Sequence, residues 1–214
     1  AFLLPILQHL VQNVGTPSRK GALALILAPT RELALQIGDS VTAYAKNLRL
    51  RHTVILGGVN QNPQVKALAK GVDILVATPG RLLDLQQQGH VHLDDVAHLV
   101  LDEADRMLDM GFIRDVRKIV HTIPDDRQTL LFSATMPKEV ARLAEDILYK
   151  PVRVDVAPKT VTADKVEQRI IHVPAAKKGA LLADLLADEA LRRVIVFTRT
   201  KHRANRVAKQ LGQA

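Results

Sequence analysis

The feature that most narrows the fold is an alternation. Short β-branched or leucine-rich runs, mainly apolar, at residues 22–27, 53–56, 72–76, 97–101 and 128–132 are separated by amphipathic stretches such as 32–45, 63–70 and 137–148. A strand with one face in water alternates apolar and polar residues, whereas a strand covered on both faces reads as an unbroken apolar run. Buried strands alternating with helices predict a parallel, doubly wound α/β sheet.

Residues 157–164 break the pattern with a proline, small residues and two charges, and read as a linker between a first domain at 1–156 and a second beginning at 165. The alternation restarts with strands at 166–173 and 193–197, a helix at 177–186 and a final helix. In that last helix Ala204, Val207, Ala208 and Leu211 share one face, with Arg203, Arg206 and Lys209 outside it. About 50 residues are too few for an independent core, so 165–214 is expected to be only the start of a second lobe.

Charge is unevenly placed. Residues 1–156 carry 18 basic and 17 acidic side chains, whereas 157–214 carry 12 and 5. Between Arg192 and Lys209 stand seven basic residues and no acidic one. That bias fits a polyanion, or equally a solvated helix face. Aromatic residues are 3% of the chain, which disfavours recognition by base stacking and points to backbone contacts. The chain has no cysteine, which excludes disulfides and thiolate metal sites and suits the reducing cytoplasm. Its apolar runs are far shorter than the roughly 20 residues of a membrane-spanning helix, so no membrane partner is expected.

The apolar runs end in polar signatures. The first leads into Pro29-Thr30-Arg31-Glu32, the second into Gly57-Gly58, the third into Thr78-Pro79-Gly80-Arg81 and the fifth into Ser133-Ala134-Thr135. Thr30 and Thr78 are predicted helix caps, and Gly57 and Gly58 let a backbone or ligand come close. In a parallel sheet these ends share one edge, where ligands of such folds bind and helix N-termini favour phosphates. The fourth run delivers Asp102-Glu103-Ala104-Asp105. Carboxylates there can hold Mg²⁺ and activate water, or can simply stabilise the first turn of a helix.

Taken in order, Pro-Thr-Arg-Glu-Leu-Ala, Gly-Gly, Thr-Pro-Gly-Arg, Asp-Glu-Ala-Asp and Ser-Ala-Thr resemble the motif series of DEAD-box RNA helicases, with a character similar to the bacterial RhlE-like subgroup. Residues 1–5 resemble the stretch after that family's phosphate-binding loop, and 195–201 its first RNA-contacting motif in the second lobe. The resemblance implies a RecA-like first lobe, incomplete at its start, and the beginning of a second. It implies ATP-driven closure of two lobes on RNA, with duplexes or RNA–protein complexes remodelled and ATP and Mg²⁺ as cofactors. Asp102 then holds Mg²⁺, mostly through water, and Glu103 activates the hydrolytic water. Asp105, Ser133 and Thr135 couple the ATP site to strand separation. Pro29, Thr30, Arg31, Gln36, Gly57, Gly58, Thr78, Pro79, Gly80 and Arg81 contact RNA backbone in the first lobe, and Thr198, Thr200 and Lys201 in the second.

The 214 residues contain no Gly-x-x-x-x-Gly-Lys-Ser/Thr loop and no C-terminal arginine-rich motif. The expectation is that they are a fragment of an ATPase, inactive alone, with apolar sheet edges left exposed. A non-catalytic RNA-binding scaffold is the alternative, and a Mg²⁺-dependent nuclease using Asp102, Glu103 and Asp105 is a weaker one. His90 and His92 lack a third ligand in sequence and read as structural. Asp94, Asp95, Asp125 and Asp126 read as turn and capping acids.

Overall fold

The computed structural model describes residues 2–13, 15–156, 167–188 and 190–212. The chain falls into two compact units, 1–157 and 158–214. The predicted linker at 157–164 lies outside the described residues.

The first unit holds one five-stranded sheet in the order β2-β3-β1-β4-β5, every pairing parallel. Its strands are β1 (Ala22–Leu27), β2 (His52–Ile55), β3 (Val72–Ala77), β4 (His98–Leu101) and β5 (Gln128–Leu131). Among the described residues seven helices accompany them: α1 (Leu3–Asn13), α2 (Arg31–Tyr44), α3 (Asn62–Leu68), α4 (Pro79–Gln87), α5 (Ala104–Asp109), α6 (Ile113–Val120) and α7 (Lys138–Ile147). The α/β reading holds, and the apolar runs mark all five strands to within a residue or two.

Strand period explains the layers. Leu25, Leu27, Leu75, Leu99 and Leu101 point to one face and pack with Leu82, Leu85, Met107, Val116, Ile119 and Leu143 of α4 to α7. Ala24, Ile26, Ile74, Val76 and Val100 point to the other and pack with Leu3, Ile6, Leu7 and Leu10 of α1 and with Ala34, Ile37 and Val41 of α2. Both faces are covered, so β1, β3 and β4 are buried along their whole length. Each fully buried leucine or isoleucine contributes roughly 1.5–3 kcal/mol over its exposed state. The one buried carboxylate of β3 is partnered: Asp73 accepts the Arg51 amide and pairs with its guanidinium at 3.7 Å.

The exposed edges are the outer strands. β2 and β5 are only half-buried, and Phe132, just past β5, is 37% exposed and rests against Phe2 with ring centroids 5.3 Å apart. From β2 to β5 the hydrogen-bonded ladder is continuous.

In the second unit, a 3₁₀ turn (Ala175–Lys177) leads into α8 (Lys178–Leu186), and α9 runs from Lys201 to Leu211. The strands predicted at 166–173 and 193–197 do not form among the described residues, 167–173 included. Ile170, Ile195 and Phe197 are 87%, 79% and 90% exposed. A strand needs a neighbour to accept its ladder, and none of the described residues of this unit is buried. The apolar face of α9 is correspondingly only partly covered, with Val207 and Leu211 half-buried.

Candidate functional site

Because the ladder is parallel throughout, β1 to β5 all deliver their C-terminal ends to one edge. The chain leaves β1 toward β3 and β2 on one side and returns to β4 and β5 on the other, so the strand order reverses next to β1. Ligands of open α/β sheets bind at that position.

On the β1–β3–β2 side the loops form a polar shelf. Thr30 sits in extended conformation before α2, and its hydroxyl accepts the Leu33 amide at 3.2 Å, as its sequence context predicts. Thr78 occupies the equivalent position before α4 but does not cap it. Its hydroxyl accepts instead from the Gly57 amide at 3.4 Å, tying the β3 exit to the β2 exit. Gly58 adopts φ +72°, a conformation that disfavours any side chain, and an added Cβ would meet the Arg31 guanidinium at 2.9 Å. At Gly57 an added Cβ would meet nothing within 4 Å, so its bare backbone is open to approach.

The two arginines grip the same loop. Arg31 donates to the Gly58 carbonyl at 3.4 Å, and Arg81 donates through both terminal nitrogens to the Val59 carbonyl at 3.3 and 3.2 Å. Arg81 also lies 3.5 Å from Asp84. Pro29 is buried beneath the shelf, Gly80 is exposed at the start of α4, and Gln36 is exposed further along α2. A hollow of about 270 Å³ opens among Pro29, Thr30, Arg31, Gly57 and Thr78. Its remaining wall includes Met110 and Phe112, from the turn after α5. Sequence reasoning missed both; the Asp-Met-Gly-Phe stretch beyond the acidic cluster was the available signal.

On the β4–β5 side the acidic groups emerge. Asp102 is half-buried, and its Oδ1 accepts the Glu103 amide at 3.1 Å. Burial, with help from the neighbouring Glu103 charge, pushes its carboxyl above the usual carboxylate range against that hydrogen bond. Glu103 is held at φ 53°, ψ 55°, in the left-handed region, and its carboxylate meets Arg106 at 3.3 Å. A non-glycine residue there is strained, and such strain concentrates at working sites.

Asp105 is netted to the loop after β5. Its amide donates to the Ser133 hydroxyl at 3.1 Å, and its Oδ2 accepts the Thr135 amide at 2.9 Å and hydroxyl at 2.7 Å. Ser133 in turn donates to the Thr135 carbonyl at 2.7 Å. Burial acts to raise the Asp105 pKa, but the Thr135 hydroxyl and amide, with Ser133 and the Arg106 amide, outweigh it and hold the carboxyl below its ordinary value.

In the second unit, Thr200 caps α9 by accepting the Arg203 amide at 3.2 Å, and the Thr198 hydroxyl donates to the Thr200 carbonyl at 2.9 Å. Lys201 is exposed in the first turn of that helix.

The donor set at the β4 exit is all oxygen, and a half-buried carboxylate whose charge is incompletely offset suits a hard divalent cation. A nucleotide's phosphates would need a further cradle, which the described loops at this edge do not form around Asp102 and Glu103.

Residues 1–143 match the family described as DEAD/DEAH box helicase. Among curated relatives, a DEAD-box ATP-dependent RNA helicase 20 of Oryza sativa subsp. japonica is 42% identical, over 99% of this chain and 43% of its own length. ATP-dependent RNA helicase RhlB of Pseudomonas aeruginosa is 45% identical, over 99% of this chain and 54% of its own. A crystal structure of a DEAD box protein from Methanococcus jannaschii superposes with a TM-score of 0.66 at 36% identity, covering 99% of this chain and 55% of that one. The chain thus spans about half, or less, of the length of these relatives.

Proposed function

This chain belongs to the DEAD/DEAH box helicase family, and on that footing we propose that it serves an ATP-dependent RNA helicase that remodels RNA duplexes and RNA–protein complexes in the cytoplasm. The observation that carries the reading is one sheet edge bearing both kinds of machinery. The Asp102–Glu103 acids leave β4, and the Gly57–Gly58, Arg31 and Arg81 shelf leaves β1, β2 and β3.

In this reading Asp102 holds Mg²⁺, mostly through water. When bound, the ion neutralises charge on the β- and γ-phosphates of ATP. Glu103 accepts the proton of the attacking water as it adds to phosphorus. Asp105, Ser133 and Thr135 report the state of that site along the edge, since any shift of α5 moves the loop after β5 through three hydrogen bonds. Pro29, Thr30, Arg31, Gln36, Gly57, Gly58, Thr78, Pro79, Gly80 and Arg81 form the RNA face of the first unit. Thr198, Thr200 and Lys201 form that of the second. Contacts to ribose and phosphate read little sequence. The seven basic residues between Arg192 and Lys209 supply the charge for such binding, and the cysteine-free composition fits a cytoplasmic home.

The test is RNA-stimulated phosphate release and duplex separation by the intact protein. Glu103→Gln is expected to abolish release while ATP-dependent RNA clamping survives. RNA binding indifferent both to ATP analogues and to Glu103→Gln would replace the helicase reading with that of a passive RNA scaffold.

A further inference from the structure

Gln64 is a polar side chain inside the core boundary, 8% exposed, on a helix whose other buried residue is Leu68. A buried carboxamide is stable only when its donors and acceptor are matched. Here all three bonds go to one loop. Its Oε1 accepts the Leu56 amide at 2.8 Å, and its Nε2 donates to the Leu56 carbonyl at 3.2 Å and to the Asn60 carbonyl at 3.2 Å.

The reciprocal pair with Leu56 copies what a neighbouring strand residue would make. The carboxamide therefore extends the ladder of β2 by one step and then bridges to Asn60. Between those two anchor points lie only Gly57, Gly58 and Val59. The same three residues are held from the other side by Thr78, Arg31 and Arg81 through the Gly57 amide, the Gly58 carbonyl and the Val59 carbonyl. Two adjacent glycines are intrinsically floppy, so a binding surface built on them needs an external brace. Gln64 is the brace on the buried side.

We propose that Gln64 is a positioning residue for RNA engagement, presetting the Gly57–Gly58 loop so that RNA binding does not have to order it. The inference rests on the reading of this shelf as the RNA face. Loss of the brace makes each binding event bear the ordering entropy, which weakens RNA affinity without touching the acids at β4.

In the intact protein, Gln64→Met keeps length and apolar fit but removes all three bonds. The RNA concentration giving half-maximal phosphate release is expected to rise about tenfold, the scale of a lost buried hydrogen-bond set. The rate at saturating RNA stays within about twofold, because the chemistry is elsewhere. Gln64→Glu provides an independent readout. An ionised carboxylate cannot donate to the Leu56 carbonyl, whereas a protonated one restores one donor and one acceptor. RNA affinity of Gln64→Glu is therefore expected to recover toward the parent's as pH falls, and the parent to lack that recovery. It also decides the matter should Gln64→Met fail to fold. Arg81→Ala separates the two levels of the argument. If Arg81→Ala weakens RNA binding while both Gln64 variants match the parent, or lower thermal stability alone, Gln64 has no positioning role. If Arg81→Ala also leaves RNA binding unchanged, the shelf is not the RNA face and both readings fall.

Discussion

The Thr135 side chain and main chain converge on a single oxygen of Asp105, the hydroxyl at 2.7 Å and the amide at 2.9 Å from Oδ2. Thirty residues apart in sequence, the two join the helix after β4 to the loop after β5. Thr135→Val removes the hydroxyl donor and keeps the shape. NMR titration should then show the Asp105 carboxyl moving up toward the ordinary aspartate value. Since the folded pKa is depressed, these bonds stabilise the fold above the unfolded pKa of about 3.9 and lose that contribution as pH falls through the folded value. The acid-side loss of stability should accordingly be shallower in Thr135→Val than in the parent.

Asp102 has the opposite sign. Burial raises its pKa, so the folded state disfavours its charge, most fully above the folded pKa, and the cost is relieved as pH falls toward the unfolded value. In the absence of metal, Asp102→Asn should raise the thermal midpoint near neutral pH, with the difference from the parent shrinking as the solution is acidified. The same change should eliminate RNA-stimulated phosphate release. A midpoint that drops instead would mean that Asp102 stabilises the fold as an anion.

Glu103 stores backbone strain at φ 53°. A non-glycine residue in this region costs on the order of 1–2 kcal/mol. Its exposed contact with Arg106 is worth little. Glu103→Gly is therefore expected to stabilise the first unit by roughly 0.5–1 kcal/mol in urea titrations, after the entropy of the freer unfolded chain is deducted. Activity should vanish in the same variant. Stability gained with activity lost is the signature of strain retained for function.

Gly57 and Gly58 should respond differently to alanine. Gly58→Ala meets both the positive φ and the Arg31 guanidinium, so it is expected to lower thermal stability and RNA affinity together. At Gly57 there is room for the methyl group, so Gly57→Ala should leave the melting temperature within error and weaken RNA binding alone. Equal RNA affinity for Gly57→Ala and the parent would show that no backbone approaches there.

His98, at the start of β4, is 4% exposed, with its Nε2 2.8 Å from His9 Nδ1 on α1. Burial first, then the charge of His9, holds its pKa below the ordinary histidine value, against a smaller opposing effect of Gln128. The folded state thus binds fewer protons than the unfolded one. Stability should decline as pH drops below about 6.5 and level off once the folded pKa is passed. Replacing His98 by glutamine should flatten that decline in denaturant midpoints measured from pH 8 to 5.

What the sequence determined by itself is the set of parts. The run at 22–27 is apolar without interruption, and that at 72–77 is apolar apart from Asp73, because both faces are covered, and that pattern survives in a linear string. The cap at Thr30 was equally legible, since its partner Leu33 is three residues away. The motifs at 57–58, 78–81 and 102–105 announced themselves by falling at strand ends.

Tertiary structure decided who meets whom. Thr78 carries a cap sequence but serves Gly57, because the register of β2 on β3 brings that amide within reach. Gln64, Met110 and Phe112 acquire their positions only when α3 and the turn after α5 close around the sheet edge. The segment 193–197 reads as a strand by composition, yet remains unpaired among the described residues. Periodicity is a local property, set by which face a residue turns. A hydrogen-bond partner dozens of residues away is set by strand order and register, which no local pattern encodes.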